Sequence, residues 1–170
     1  KLGIFGAFEG NMMTRAEQNV NSRDSLFAIV SEAFKHADVY LNENAMMESA
    51  DLIVAGAWLE STYLVTQILK TYDSGPLRKR VGDDKMVLPQ LLASISSHKD
   101  SKDHEAFAAQ LRELNTIYDQ IKIKHVDAAS TQDDAKKVVQ LNAKTKVRYS
   151  KETLAQITDK IAAIRTMYIQ

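Results

Sequence analysis

"ADLIVAGAWLESTYLVTQIL", Ala50 to Leu69, is the stretch on which the fold turns. Twenty residues of α-helix span about 30 Å, the thickness of a bilayer core. The stretch is apolar on nearly every side, yet it carries one acid, Glu60, near its middle. A membrane span, a core helix and the floor of a site are the three readings to separate.

The balance of transfer energies goes against a span. The eight Leu, Ile and Val residues contribute up to roughly −0.6 kcal/mol each at a helix centre, about −4 kcal/mol together. A central acid costs about 2.5–3.5 kcal/mol on the same scale. Asp51, Ser61, Thr62, Thr66 and Gln67 add to that cost, and the longest unbroken apolar run is only Leu52–Leu59. A helix apolar all round is instead one that other helices surround. Residues Ala45 to Tyr72 are therefore expected to form the central helix of an antiparallel bundle. Gly56 costs about 1 kcal/mol relative to alanine inside a helix, so a neighbouring helix is expected to cross closely there.

Trp58 and Glu60 are the candidate ligand-binding residues of this segment. An ionised glutamate in a dry interior is costly unless it is paired. Glu60 would then anchor a ligand beside the Trp58 indole or act as a base with a raised pKa. The plainer alternative is that it meets solvent, or an Arg or Lys from a neighbouring helix, with Trp58 as a core residue. That alternative is favoured.

Outward from this segment the chain reads as further helices. In "NSRDSLFAIVSEAFKHADVYLNEN" (Asn21–Asn44), Asn21 or Ser22 can cap the start and Asp24 suits the positive end of the helix dipole. Leu26, Ile29, Val30, Ala33, Ala37 and Leu41 form one face, widened by Phe27 and Phe34. A helix over roughly Glu9–Val20 precedes it. "DSGP" (Asp73–Pro76) breaks the chain, and "LRKRVGDD" reads as a short solvated turn of helix or a loop. A helix from about 85 or 88 to 97 keeps Pro89 in its first turn. From His104 to about Val126, Phe107, Leu111, Leu114, Tyr118 and Ile121 make a narrow helical stripe. Ser150 caps a last helix whose inner face is Leu154, Ile157, Ile161, Ile164 and Tyr168. "VVQLNAKTKVRY" (Val138–Tyr149) is open between helix and a small β-hairpin turning at "NAK". The fold class is all-α: one helical domain over residues 1–170, of five to six helices, with room for one small β-hairpin near 138–149.

Composition excludes several functions. The chain has 170 residues, 45% hydrophobic and 26% charged, with only six glycines and two prolines, too few turn residues for a sandwich or barrel. Without cysteine there is no disulfide, thiolate zinc site or cysteine nucleophile. Net charge is zero, which removes a global pull on nucleic acid, and no nucleic-acid partner is expected. Lys136–Lys151 is a local exception, with six basic residues and no acid. Its one aromatic, Tyr149, is poor interleaving for a nucleic-acid module; a solvated hairpin is the simpler account, and an anionic membrane surface is a further one.

No phosphate loop, dinucleotide fingerprint, nucleophile elbow or zinc-protease motif is present. No catalytic residue, cofactor or metal site is expected. Glu32 and His36 share a helix face, but no second such pair accompanies them. His98, Asp100, Asp103 and His104 crowd one polar loop, and Asp83–Asp84 and Asp133–Asp134 read as solvating or capping groups.

"LGIFGAF" (Leu2–Phe8), "NSRDSL" (Asn21–Leu26), "AGAWLESTYLVTQ" (Ala55–Gln67) and "SKETLAQITDKIAAIR" (Ser150–Arg165) together resemble a group of uncharacterised bacterial helical proteins, often predicted to be exported lipoproteins. The resemblance implies a cell-envelope location, a lipid anchor upstream and a missing N-terminal portion. It carries over no functional residue. The function expected is a non-enzymatic cell-envelope binding or scaffolding protein with a protein or small-molecule partner and no transmembrane helix. The alternative is a small-molecule-binding bundle with a cavity near Trp58 and Glu60, and an enzyme with an unrecognised site comes last.

Overall fold

The computed structural model describes residues 11–98, 101–126, 131–133, 138–140 and 144–169. They form six helices: α1 (Met12–Gln18), α2 (Arg23–Glu43), α3 (Met47–Thr71), α4 (Gly75–Ser96), α5 (Lys102–Tyr118) and α6 (Lys151–Tyr168). Four short strands lie between α5 and α6: β1 (Lys122–Val126), β2 (Thr131–Asp133), β3 (Val138–Gln140) and β4 (Lys144–Arg148). The fold is all-α with a small antiparallel β element. The chain divides into two compact units, Lys1–Ile53 and Val54–Gln170.

In the first unit, Ser22 caps α2 by accepting from the Ser25 amide, as the sequence predicts. Ile29 and Leu41 are buried. Phe27, Val30 and Phe34, assigned above to the same inner face, are exposed. Asn44 ends the helix, and Ala45 turns the chain with φ at 55°. The expected helix over Glu9–Val20 is present as α1; residues 1–10 lie outside the described residues.

The second unit is a ring of four helices. α4 packs on α5 and α5 on α6. α3 is tied to α4 by Trp58 and Thr62, which both donate to Asp84, and to α6 by Glu60 and Arg165. Each pairing runs antiparallel. Residues 58 and 62 meet 84 across the short turn at residues 72–74, and residues 110 and 120 meet 160 and 153. The core is built from heptad-like stripes: Ala55, Trp58, Thr62, Thr66 and Leu69 on α3, with Val81, Leu88, Leu91 and Ile95 on α4. Phe107, Leu111, Leu114 and Tyr118 on α5, with Ile121 just beyond it, are all buried as their spacing predicts. Ile157, Ile161 and Ile164 complete the core on α6, capped by Ser150.

Several expectations are corrected here. No helix of this ring is central, and α3 leaves Val54, Leu64 and Ile68 exposed. Gly56 is also exposed, and a Cβ built there meets nothing within 4 Å, so no helix among the described residues crosses closely at that point. Of the two readings of "LRKRVGDD", a short turn of helix or a loop, the helical one holds, and the helix is far longer than one turn. Ser74 caps α4 ahead of it, and the helix runs unbroken through Pro89. Pro89 has no amide hydrogen to donate to the carbonyl one turn back, at Lys85, and the flanking core contacts of Leu88 and Leu91 hold the helix through that gap.

The helix expected to reach Val126 stops at Tyr118. Beyond it "KIKHV" alternates over Lys122, Ile123 and Lys124 and carries β-branched Ile123 and Val126, a composition that suits a strand. Lys85 Nζ donates to the carbonyls of Asp119 at 3.1 Å and Ile121 at 2.7 Å, satisfying acceptors that the helix end leaves open. The extended structure proposed near 138–149 is present, but its partners lie upstream. β4 pairs with β1 and β3 with β2, all antiparallel. The "NAK" turn falls partly on residues 141–143, outside the described residues.

Candidate functional site

The residues offered by the sequence, Trp58 and Glu60, stand two positions apart on α3 and so point to different sides of the helix. Glu60 turns to α6. Its carboxylate accepts from Arg165 Nε at 2.6 Å and from Arg165 Nη2 at 3.0 Å, a two-pronged ion pair. The guanidinium also stacks over the Tyr63 ring, 4.4 Å from its centroid. The Arg165 hydrogen bonds hold the Glu60 carboxyl below its ordinary range. This shift is opposite to that of a general base tuned toward neutrality.

Trp58 turns to α4. Its indole N–H donates to Asp84 Oδ1 at 3.0 Å. Thr62, one turn along α3, donates to Asp84 Oδ2 at 3.2 Å. Arg80, one turn before Asp84 on α4, pairs with Oδ1. Asp84 is fully buried, and burial pushes its carboxyl above the ordinary value despite three favourable donors, Arg80 foremost. The expectation that Asp84 is a solvating or capping group in a loop does not hold: it is the polar centre of the helix ring. The signal was its spacing. Val81, Asp84, Leu88, Leu91 and Ile95 repeat at gaps of three and four, so Asp84 sits on an apolar stripe that a loop would not need.

Tyr118, also fully buried, lies near enough for Asp84 to raise its pKa, after burial, well above the ordinary value. Its hydroxyl has no hydrogen-bond partner among the described residues, and neither has Gln67 Nε2. Tyr149, just after β4, donates to the Arg78 carbonyl at 2.6 Å, and burial pushes its hydroxyl up to about 12.

The remaining candidates resolve individually. Glu32 pairs with Arg15 at 2.9 Å. His104 is buried, with Nδ1 2.7 Å from the Ser101 hydroxyl and its ring 4.9 Å from that of His98. Asp100 lies outside the described residues. No group of three or more His, Asp and Glu residues among the described ones is placed to hold a metal ion.

Three surface clefts are lined by neither Trp58 nor Glu60. One of about 310 Å³ separates α3 from α6 beside Thr66, Lys70, Arg78 and Thr158. One of about 630 Å³ lies between the first turns of α4 and β4, with Arg78, Lys79, Lys146, Arg148 and Tyr149 on its walls. A third, of about 410 Å³, follows α2 at Lys35, His36 and Tyr40. Among the described residues α3 is also the one helix long and apolar enough to cross a membrane, with a best-window mean hydropathy of 1.4. Comparison of the chain with protein-family models, curated proteins and solved structures finds no match.

Proposed function

We propose that this chain is a non-enzymatic binding or scaffolding protein that works through its surface. The observation that carries the reading is the bidentate Glu60–Arg165 pair. It takes up the one charge that the apolar helix offers as a ligand anchor or base. Asp84 likewise spends its acceptors on Trp58, Thr62 and Arg80, within the chain itself. Apolar and basic side chains that face outward, such as Leu64 and Ile68 on α3 and Lys146 and Arg148 on β4, are left to meet a partner. A place in the cell envelope, behind an upstream lipid anchor, is part of the same proposal and is supported by the resemblance of the four segments quoted above.

The experiment compares interior and surface. Trp58 is the sole tryptophan, so its fluorescence reports both unfolding and any ligand that enters its surroundings. Glu60→Gln and Thr62→Val are expected to melt below the native protein. Leu64→Ser with Ile68→Ser is expected to stay within about 0.5 kcal/mol of it, as exposed substitutions do. A saturable Trp58 response to a small molecule, abolished by Glu60→Gln in a protein that remains folded, would replace this reading with an interior ligand site.

A further inference from the structure

The pairing of β1 with β4 sets like charges against each other. Lys122 lies opposite Arg148, and Lys124 opposite Lys146. Side chains alternate across a strand, so these four share one face of the ribbon. Ile123 and Val147, also directly opposite, share the other. That second face is turned to the bundle, since Val147 sits on Gly82 of α4. The four cations are therefore on the outer face, and all four are exposed.

Directly opposite side chains stand about 5 Å apart and next-but-one neighbours on a strand about 7 Å apart. Four positive charges thus occupy a patch only a few ångströms on a side. None has a carboxylate partner among the described residues. The nearby acids Asp73, Asp83 and Asp84 are committed to cations of α4, Arg78, Lys79 and Arg80 respectively. Like charges directly opposite destabilise a strand pair, so the arrangement works against the ribbon that carries it. An external anion that spans several of these charges at once relieves the repulsion.

We propose that the outer face of the β1–β4 ribbon, through Lys122, Lys124, Lys146 and Arg148, docks on a membrane surface of anionic lipid headgroups. A single-stranded nucleic acid needs aromatic platforms for its bases. Among the described residues the aromatic beside this face, Tyr149, is held by its bond to the Arg78 carbonyl and lies under the Arg78 guanidinium, 5.4 Å from the ring centroid. A duplex is recruited by the field of a basic domain, and this chain has zero net charge. A lipid surface supplies its own field and acts on whatever local patch comes within a Debye length of it.

The inference rests on a surface-acting protein, and its test reads out separately from that proposal. The whole chain is sedimented with vesicles of phosphatidylcholine alone and with added phosphatidylglycerol. Binding is expected only to the anionic vesicles and is expected to fall as salt is raised. Each Lys→Gln substitution on the ribbon should weaken it about fivefold. Lys122→Gln, Lys124→Gln, Lys146→Gln and Arg148→Gln combined should bring it to the neutral-vesicle background. The combined variant is expected to melt no lower than the native protein, because it removes repulsion, and a control with Lys35→Gln and Lys102→Gln should bind as native. Equal binding to neutral vesicles, anionic binding unchanged in the combined variant, or tighter binding of duplex DNA through the same four residues would each overturn the proposal. A small-molecule response at Trp58 would overturn the reading beneath it and leave the vesicle result standing by itself.

Discussion

Two glycines inside helices predict opposite answers to one substitution. Gly56 on α3 and Gly82 on α4 each deprive a helix of the alanine preference, about 0.8–1 kcal/mol. At Gly56 a new Cβ meets nothing within 4 Å, so Gly56→Ala should gain that amount. At Gly82 the same atom collides with Val147 Cγ1 and stands 3.1 Å from Val147 Cβ and 3.2 Å from Tyr149 Cε1. Overpacking of this kind costs about 1–3 kcal/mol. A displaced Tyr149 also endangers its bond to the Arg78 carbonyl, about 0.5–1.5 kcal/mol. With the helix preference set against these terms, Gly82→Ala should lose about 0.5–3.5 kcal/mol. The two variants should therefore differ by about 1.5–4.5 kcal/mol. The assay is urea unfolding followed by Trp58, which is 8% exposed and belongs to the same four-helix unit. Adding Val147→Ala to Gly82→Ala should recover part of the loss, a coupling of about 1 kcal/mol in a double-mutant cycle. If Gly82→Ala proves as stable as the native protein, the ribbon is not seated on α4 at this point. If Gly56→Ala proves destabilising, a neighbour occupies that space and a close crossing there must be reinstated.

Two further outcomes follow from the buried polar groups. Asp84 has a folded pKa raised above its ordinary 3.8, so the folded state binds its proton more tightly than the unfolded state does. Its contribution to stability is fully present below that value and is lost as pH rises through the raised one. Asp84→Asn, a neutral isostere that cannot ionise, should escape that loss and be least disadvantaged at neutral pH, where the native carboxylate is charged. It should therefore remove this loss from the acidic limb of the urea-stability profile, and an acidic limb identical in native and variant protein would refute the raised pKa. Tyr149→Phe should cost about 0.5–1.5 kcal/mol. Because the Tyr149 hydroxyl is pushed up to about 12, its contribution is present below the ordinary tyrosine range and lost as pH rises through that value. Ultraviolet titration of the variant should lack one late-ionising tyrosine.

The helices were legible wherever one periodicity governed a long segment. The α5 stripe from Phe107 to Tyr118 needed only gaps of three and four and is buried; the α6 stripe is buried at Ile157, Ile161 and Ile164, while at its ends Leu154 is half-buried and Tyr168 exposed. Capping chemistry placed the starts at Ser22 and Ser150 for the same local reason. Misreadings arose where local and tertiary signals disagreed. Gly82 and Asp84 look like loop residues because each is a poor helix former with no apolar side chain. The helix holds them because Val147 needs the missing Cβ and Trp58 needs the carboxylate, and both partners are distant in sequence. Gly56 follows the same logic in reverse: a helical glycine suggests a close neighbour, and among the described residues none lies within 4 Å of a Cβ there. The strand Lys122–Val126 was absorbed into the preceding helix because Ile121 continues the helical stripe; its own alternation begins one residue later. At Glu60 the partner is Arg165, which is 105 residues away and on a face that the sequence does not pair with α3.

The apolar character of α3 therefore has an explanation other than enclosure. A helix surrounded on all sides needs no polar groups of its own to fix its rotation, since packing does so. α3 has two partners in its ring and leaves Val54, Leu64 and Ile68 exposed, so apolar contact alone would not distinguish one rotation from the next. Its polar residues do: Trp58 and Thr62 reach one carboxylate on α4, while Glu60 grips one guanidinium on α6. These bonds lie on two different faces, and no single rotation other than the observed one satisfies both. Asp84 adds an asymmetry, because a buried carboxylate left without its donors would cost several kcal/mol. Polar groups that resemble a site in sequence thus fix the register of an otherwise uniform helix, and the outward apolar face remains free of any structural duty within the ring.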